Sequence, residues 1–307
     1  MISILIPIFQ VDVTGLVNEL SRQCRLLHAP WEIICLDDGS EKLFLEGNAG
    51  LAKIPGVTYE ILPQNVGRSA VRNMLARKAR YPYLLFMDCD SGVVRSNYVE
   101  TYFSRLQPET VFCGGRLYQI EPPTDKRFML HWKFGRKREQ ILPQNRAKQA
   151  YHAFMSNNFV VPRKLFLEIQ MEERLSGYGH EDTLFGMELR ARGIPVEHLD
   201  NPLEHLGLET ASVLIKKNDE AMRNLAWLIQ NAPIPIETRL AGLVGKLKRY
   251  RLLGLTQIFL NLISPILKML LCSKNPPLRA LDAYKLGRLL CWLGSDRLPA
   301  NKADYRG

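Results

Sequence analysis

The stretch "LLFMDCDSG", residues 84–92, runs an apolar segment into two acids, Asp88 and Asp90, with Cys89 between them. Carboxylates placed this way cap a following helix, pair with a basic side chain, or hold a divalent cation. In an extended chain, neighbouring side chains point to opposite faces. Asp88 and Asp90 can then share one side while Cys89 turns into the core. Two hard oxygen donors on one side suit Mg²⁺ or Mn²⁺, ions that keep open positions for phosphate oxygens. The pair is a candidate platform for a diphosphate.

Other stretches carry groups of related chemistry. "CLDDGS" places a second acidic pair, Asp37 and Asp38, at another strand end. One of its carboxylates could accept hydrogen bonds from a base N–H or a ribose hydroxyl; the alternative is an Asx-turn that caps the next segment of chain. "PQNVGRSAVRN" puts Gly67 where a helix begins, with Asn65 before it and Arg68 and Arg72 one turn apart. That reads either as an anion-facing helix start or as a surface amphipathic helix. "GYGHEDTLFG" sets Glu181 and Asp182 near the start of another helix, where the dipole favours the ionised form. Gly114 and Gly115 either let a ligand approach a bare backbone or mark a turn or bulge, and Asn157 and Asn158 are further candidates for ligand contact.

These groups must be positioned by the elements around them. "ISILIPIF", "WEIICLDDGS", "VTYEIL" and "YPYLLFMDCD" read as strands, the first ended by Pro7 and Gln10. Residues 12–27 and "GRSAVRNMLARKAR" show helical periodicity between them. Strands alternating with helices predict parallel pairing in a three-layer α/β fold, which binds ligands at the carboxyl ends of its strands. Downstream, "FMSNNFVVP" and "IPVEHL" read as strands, and "KLFLEIQ" and "GYGHEDTLFGMELRARG" as helices. The segment 121–150 is basic and weakly periodic, either a solvated excursion or a mobile flap or acceptor-side segment.

The chain has 307 residues, a formal net charge of +10 and 46% hydrophobic residues. That is enough for a packed core and excludes a disordered chain. The basic balance points to an acidic partner. The six cysteines form no C-x-x-C pair, so buried reduced thiols are expected rather than a zinc ribbon or disulfide framework. "MISILIPIFQ" lacks a basic leader region and reads as a first strand rather than a signal peptide.

The tail differs. "LLGLTQIFLNLISPILKMLL", residues 252–271, has the length of a membrane span. Gln257, Asn261, Ser264 and Lys268 nevertheless form one polar stripe along it, and Pro265 interrupts it. A spanning helix would leave that stripe unpartnered in hydrocarbon. A helix lying in the interface keeps it, with Lys246, Lys248, Arg249 and Arg251 drawn to anionic lipid. The competing expectation is a helix packed on the body of the protein.

Taken together, "ISILIPIF", "IICLDDGS", "NVGRSAVRN", "LLFMDCDSG", "SNNFVVPRKLF" and "GYGHEDTLFGMELRARG" resemble, in this order, glycosyltransferase family 2, nucleotide-sugar-dependent enzymes of the GT-A fold. The resemblance implies a Rossmann-like, mostly parallel sheet flanked by helices over residues 1–210. Residues 1–110 would form the nucleotide-binding half and 111–210 the acceptor half, with 211–307 a helical extension. It implies that Pro7, Phe9, Asp37 or Asp38, Asn65, Gly67 and Arg68 form the nucleotide pocket. Asp88 and Asp90 match the D-x-D that holds metal and sugar nucleotide, and His205 of "NPLEHLG" falls where relatives often place a third ligand, with His180 and His198 as competitors. Asp182 matches the catalytic base, with Glu181 beside it.

The expected activity is inverting transfer of a sugar from a nucleotide diphosphate, uridine being the commoner case, to a glycan or lipid-linked glycan of cell-surface polysaccharide. The expected cofactor is Mn²⁺ or Mg²⁺, and the expected location is cytoplasmic, peripheral on the inner face of the cell membrane. A sugar-phosphate nucleotidyltransferase would show a Gly-rich loop after the first strand, where this chain reads "PIFQVDVTG". An inactive glycan-binding homologue would not need the intact D-x-D and Glu181–Asp182. Nucleic acid is not expected as a partner, because the basic residues gather in 121–150 and the tail rather than in a recognition motif.

Overall fold

The near-continuous apolar runs become buried strands, as parallel sheets covered on both faces require. The computed structural model describes residues 1–295. Its strands are β1 (Ile2–Ile8), β2 (Trp31–Asp37), β3 (Val57–Ile61), β4 (Tyr83–Met87), β5 (Ser91–Val93), β6 (Val111–Cys113), β7 (Arg116–Leu117), β8 (Asn158–Pro162), β9 (Val196–His198) and β10 (Leu203–His205). Seven of them form one sheet in the order β3-β2-β1-β4-β8-β6-β9. All run parallel except β8, which lies antiparallel between β4 and β6. A small second sheet, β5-β10-β7, stands beside the ends of β4 and β6.

Helices α1 (Thr14–Cys24), α2 (Lys42–Asn48), α3 (Arg68–Lys78) and α4 (Tyr98–Phe103) belong to the first half. The alternation of β1 divides the core: Ile2, Ile4, Ile6 and Ile8 pack with Val17 and Leu20 of α1, while Leu5 faces Val71 and Leu75 of α3. Strand β1 runs on through Pro7 to Ile8 rather than stopping at the proline. Proline is tolerated there because the pairing with β4 ends at Leu5, so one side of the ladder asks nothing of residue 7.

Residues 121–150 are not a solvated excursion. They fold into α5 (Met129–Phe134), a π-helical turn at Gly135–Glu139 and α6 (Pro143–Ala147). Arg146 is buried and donates to the carbonyls of Cys113, Gly114 and Leu199 at 3.2, 3.0 and 2.8 Å, tying the segment to the sheet. Helices α7 (Arg163–Ile169) and α8 (Glu181–Ala191) complete this half.

The extension holds α9 (Ala211–Asn231), α10 (Arg239–Arg249), α11 (Leu253–Leu271) and α12 (Leu278–Leu293); its residues 296–307 lie outside the described residues. Leu267 and Leu271 of α11 join Ala280, Leu281 and Tyr284 of α12, Leu214 of α9 and Leu130 of α5 in a core of their own. The polar stripe of α11 turns toward α12: Asn261 Oδ1 accepts from the Cys291 thiol at 3.1 Å, and the Lys268 ammonium lies over the Tyr284 ring. Cys24, Cys35 and Cys113 are buried free thiols, whereas Cys272 is exposed.

Candidate active site

The carboxyl ends of β1, β2 and β4 and the start of α8 converge on one region, and the chain brings the two D-x-D acids there by a turn rather than by a strand. Strand β4 stops at Met87, so Asp88–Asp90 are not extended and the alternation argument does not apply. The two carboxylates part company. Asp88 accepts from Arg72 Nη2 at 2.6 Å through Oδ1 and from Arg116 Nη2 at 3.0 Å through Oδ2. Both its oxygens are therefore committed to guanidinium groups, the ion-pair reading of the motif, and the expected two-aspartate platform is not formed in this structure. Arg116 continues the chain to Glu139 at 3.2 Å, and the Tyr118 hydroxyl donates to the same carboxylate. Burial would raise the pKa of Glu139, but Arg116 and the Tyr118 hydroxyl together hold it below the ordinary range.

Asp90 faces His205 instead, with Oδ2 3.4 Å from Nδ1. His205 arrives on β10, whose next residue donates its N–H to the Asp90 carbonyl at 2.8 Å. Gly207 permits this approach, since a Cβ there would stand 2.6 Å from Asp90 Oδ2. Burial pushes the Asp90 carboxyl upward, yet His205, Arg116 and Arg68 together hold it well below the usual carboxylate range. Asp90 Oδ1 and both ring nitrogens of His205 are buried without a hydrogen-bond partner. Buried polar atoms are seldom left so. An ionised carboxylate and a histidine with open nitrogens are a donor set that fits a divalent cation. Among the described residues no three His, Cys, Asp or Glu side chains gather at one point, so remaining ligands would come from phosphate oxygens or water. The competitors of His205 are occupied elsewhere. His198 is held between Arg146 Nη1 at 3.0 Å and the Ala150 carbonyl, and His180 lies 3.0 Å from the Thr183 hydroxyl.

A cavity of about 250 Å³ opens beside these groups. Arg68, Asp88, Arg116, Glu139, Glu181 and Asp182 line it together with Asn157 and Tyr178. Glu181 is 3.3 Å from Arg68 Nε, and Arg68 also stands over the Tyr178 ring at 4.9 Å. Burial, reinforced by the neighbouring charge of Glu181, pushes the Asp182 carboxyl up to about 7. This reverses the expectation that the helix start would favour its ionised form; loss of water outweighs the dipole.

The nucleotide-side residues are placed with mixed outcome. Asp37 accepts from Ser40 N–H at 2.8 Å and from the Tyr59 hydroxyl at 3.2 Å, which is the Asx-turn reading. Asp38 accepts from the N–H groups of Val66 and Gly67 at 2.6 and 3.1 Å. The start of α3, expected to face a ligand anion, thus holds an anion of its own chain. Gly67 supports this with φ of +96°. Pro7 is half-buried, and Phe9 and Asn65 are exposed; neither these nor Asp37 and Asp38 line the cavity. Asn158 belongs to the frame, not to a sugar pocket: its Oδ1 accepts from the Tyr98 and Tyr102 hydroxyls at 2.7 Å, and its Nδ2 donates to Gly115 and Asn201 carbonyls at 2.9 Å. Gly114 is a packing glycine, since a Cβ there would stand 2.2 Å from the Asn201 carbonyl oxygen.

Sequence reasoning did not find Arg116, Glu139, His131, Tyr178 or Lys285. His131, on α5, is buried 5.1 Å from the His205 ring centre to centre, and burial, then His205, brings its pKa down to about 4. Lys285 comes from α12, lines the cavity and stands 4.7 Å over the Phe134 ring; burial lowers its pKa to about 8. Only Arg116 carried a signal, in following Gly114 and Gly115 at a strand end.

Comparison with solved structures gives the same architecture at low identity. S. aureus TarS residues 1–349 in complex with UDP-GlcNAc match with TM-score 0.51 and 15% identity over 96% of this chain and 91% of that one. The mannosyltransferase PcManGT from Pyrobaculum calidifontis, in complex with GDP-Man and Mn²⁺, matches with TM-score 0.53 and 12% identity over 76% and 65%. Mannosyl-3-phosphoglycerate synthase from Rubrobacter xylanophilus matches with TM-score 0.54 and 17% identity over 76% and 78%. This chain spans 40% of a longer S. aureus TarS structure. Comparison with curated protein sequences gives no match. The fold is the GT-A type, and residues 3–169 match the description "Glycosyl transferase family 2". With more than half of its length matched, the chain belongs to glycosyl transferase family 2.

Proposed function

We propose that this glycosyltransferase moves a sugar, with inversion, from a nucleotide diphosphate donor to a hydroxyl of a glycan or lipid-linked glycan, with Mn²⁺ or Mg²⁺ as cofactor. The observation that carries the reading is two differently tuned carboxylates that share Arg68 as a neighbouring charge: Asp90, kept ionised beside His205, and Asp182, raised to about 7 in the cavity wall. Asp90 and His205 would hold the cation, which when bound offsets the charge that develops on the departing diphosphate. Asp182 stands as the general base that takes the proton of the acceptor hydroxyl, a group whose pKa near the operating pH is best suited to that task. Arg68, bridging Glu181 and the Tyr178 ring, positions the start of α8 and presents a cation toward the cavity. Direct displacement by the acceptor gives inversion at the anomeric carbon.

The donor is a nucleoside diphosphate sugar; uridine is favoured, and the solved relatives include complexes with both UDP-GlcNAc and GDP-Man. The acceptor reading, cell-surface polysaccharide, rests on family resemblance. The test is a panel of UDP- and GDP-sugars with Mn²⁺, with Mg²⁺ and with a chelator. Metal-dependent donor hydrolysis or transfer that disappears in Asp90→Ala is expected. Activity that survives both chelation and that substitution overturns the metal assignment.

A further inference from the structure

Helix α11 carries two apolar faces, one packed and one bare. Its buried residues are Leu260, Leu267 and Leu271, and its polar stripe runs along the edge of the α12 contact, where Asn261 bonds Cys291 and Lys268 lies over Tyr284 while both stay exposed. The opposite face is apolar. Leu255, Ile258, Phe259, Leu262, Ile266 and Met269 are all exposed, Leu262 at 76%. At 3.6 residues per turn, these side chains fall within an arc of about 100° that holds no polar residue. A surface helix of a soluble protein carries one apolar stripe, turned to the core, and leaves no second one bare. An apolar surface of this extent marks a face that something covers.

The surroundings state what covers it. Directly before α11 lie Lys246, Lys248, Arg249 and Arg251, all exposed, with Tyr250 and Leu252 exposed between and after them. Directly after it comes Lys274, also exposed. Cations at both ends of an apolar face, with an aromatic ring among them, complement an anionic bilayer surface. Among the described residues α11 is the one helix long and apolar enough to cross a membrane by length and composition. A crossing would, however, place Gln257, Asn261, Ser264 and Lys268, and the α12 surface they pack on, in hydrocarbon. The geometry fits a helix that lies flat.

We infer that the outer face of α11 inserts into the interfacial layer of an anionic lipid bilayer, held there by the cations of the α10–α11 junction, and so docks the enzyme as a peripheral membrane protein. The inference does not depend on the donor, the metal or the acceptor, because its readout is binding.

The test mixes the full chain with vesicles of phosphatidylcholine alone, or with about one third phosphatidylglycerol, and measures co-sedimentation. The wild type is expected to bind the anionic vesicles and to lose binding as salt rises. Neutralising the junction cations to Gln is expected to weaken that binding about fivefold for each charge removed. Ile258→Glu with Leu262→Glu is expected to weaken it on the order of a hundredfold, without change in circular dichroism or melting, since both side chains are already exposed. Should that variant aggregate, Ile266→Ser with Met269→Ser gives the same reading. A wild type that stays in the supernatant with both vesicles overturns the proposal. So does binding that the glutamate pair leaves unchanged. A concentration-dependent dimer without vesicle binding, split by the same pair, overturns it in favour of a second copy of this chain as the occupant.

Discussion

Asp88 and Asp90 are one residue apart and serve opposite ends of the electrostatics. Asp88 is saturated by Arg72 and Arg116, while Asp90 keeps an oxygen without a partner beside a histidine whose nitrogens are also open. Removing Asp90 should therefore cost ligand binding more than fold. Titration calorimetry with UDP and Mn²⁺ is expected to show Asp90→Ala or His205→Ala weakening metal-dependent binding about a hundredfold or more; an affinity within a few-fold of wild type would remove both from the metal site. Asp182 makes a separate, pH-dependent prediction. A base must be deprotonated to work, and burial beside Glu181 raises its pKa to about 7. Activity should then be present above pH 7 and fall as pH drops through that value. Asp182→Asn is expected to lose about 10²–10⁴ in kcat and to abolish the acidic limb in whatever activity remains. A rate unchanged between pH 5.5 and about 8 would disqualify it.

At the scale of elements, the site is built where β10 and the 121–150 segment are pressed against the ends of the main sheet. Asn158 is the joint. It fills both amide functions between the Tyr98 and Tyr102 hydroxyls on α4 and the carbonyls of Gly115 and Asn201. Replacing it with Leu leaves these buried groups short of partners. The expected cost is about 3 kcal/mol or more, read as a melting temperature lower by roughly 6–12 °C. A shift of a degree or less in thermal denaturation would show that water or rearrangement takes over its bonds. The family motifs also carry less ligand chemistry in this fold than their order suggested. Asp37 and Asp38 both hold loops, Asp38 by gripping the amides that begin α3.

At the scale of the molecule, the extension is part of the site. Helix α9 contributes Leu214, Asn218 and Met222 to the cavity wall, and α12 contributes Lys285. Burial lowers the Lys285 pKa to about 8, so its ammonium is charged at pH 7 and discharges as pH rises through 8. With Asp182 this predicts a bell-shaped activity profile, ascending near 7 and descending near 8. Lys285→Met is expected to flatten the descending limb and to lower activity at pH 7 about tenfold. A descending limb that persists in this variant would assign it to another group. The same helix α12 receives α11 along Tyr284, Gly287 and Cys291. The candidate cavity and the proposed membrane-facing surface are therefore one helix apart, an arrangement that suits the lipid-linked acceptor proposed above.

The sequence by itself determined the parallel α/β core, because strand runs such as Ile2–Ile8 and Trp31–Asp37 are apolar on both faces and only a doubly covered sheet satisfies them. It also determined which acids could matter, since D-x-D and Glu181–Asp182 are local spacings visible in one dimension. What each acid does was decided by partners far away in the chain: Arg116 for Asp88, His205 for Asp90, and for Asp182 the loss of water within the cavity wall. The outward face of α11 was decided the same way. Its periodicity shows apolar residues and a polar stripe, but only packing against α12 chose which leucines are buried and which apolar side chains stay outside.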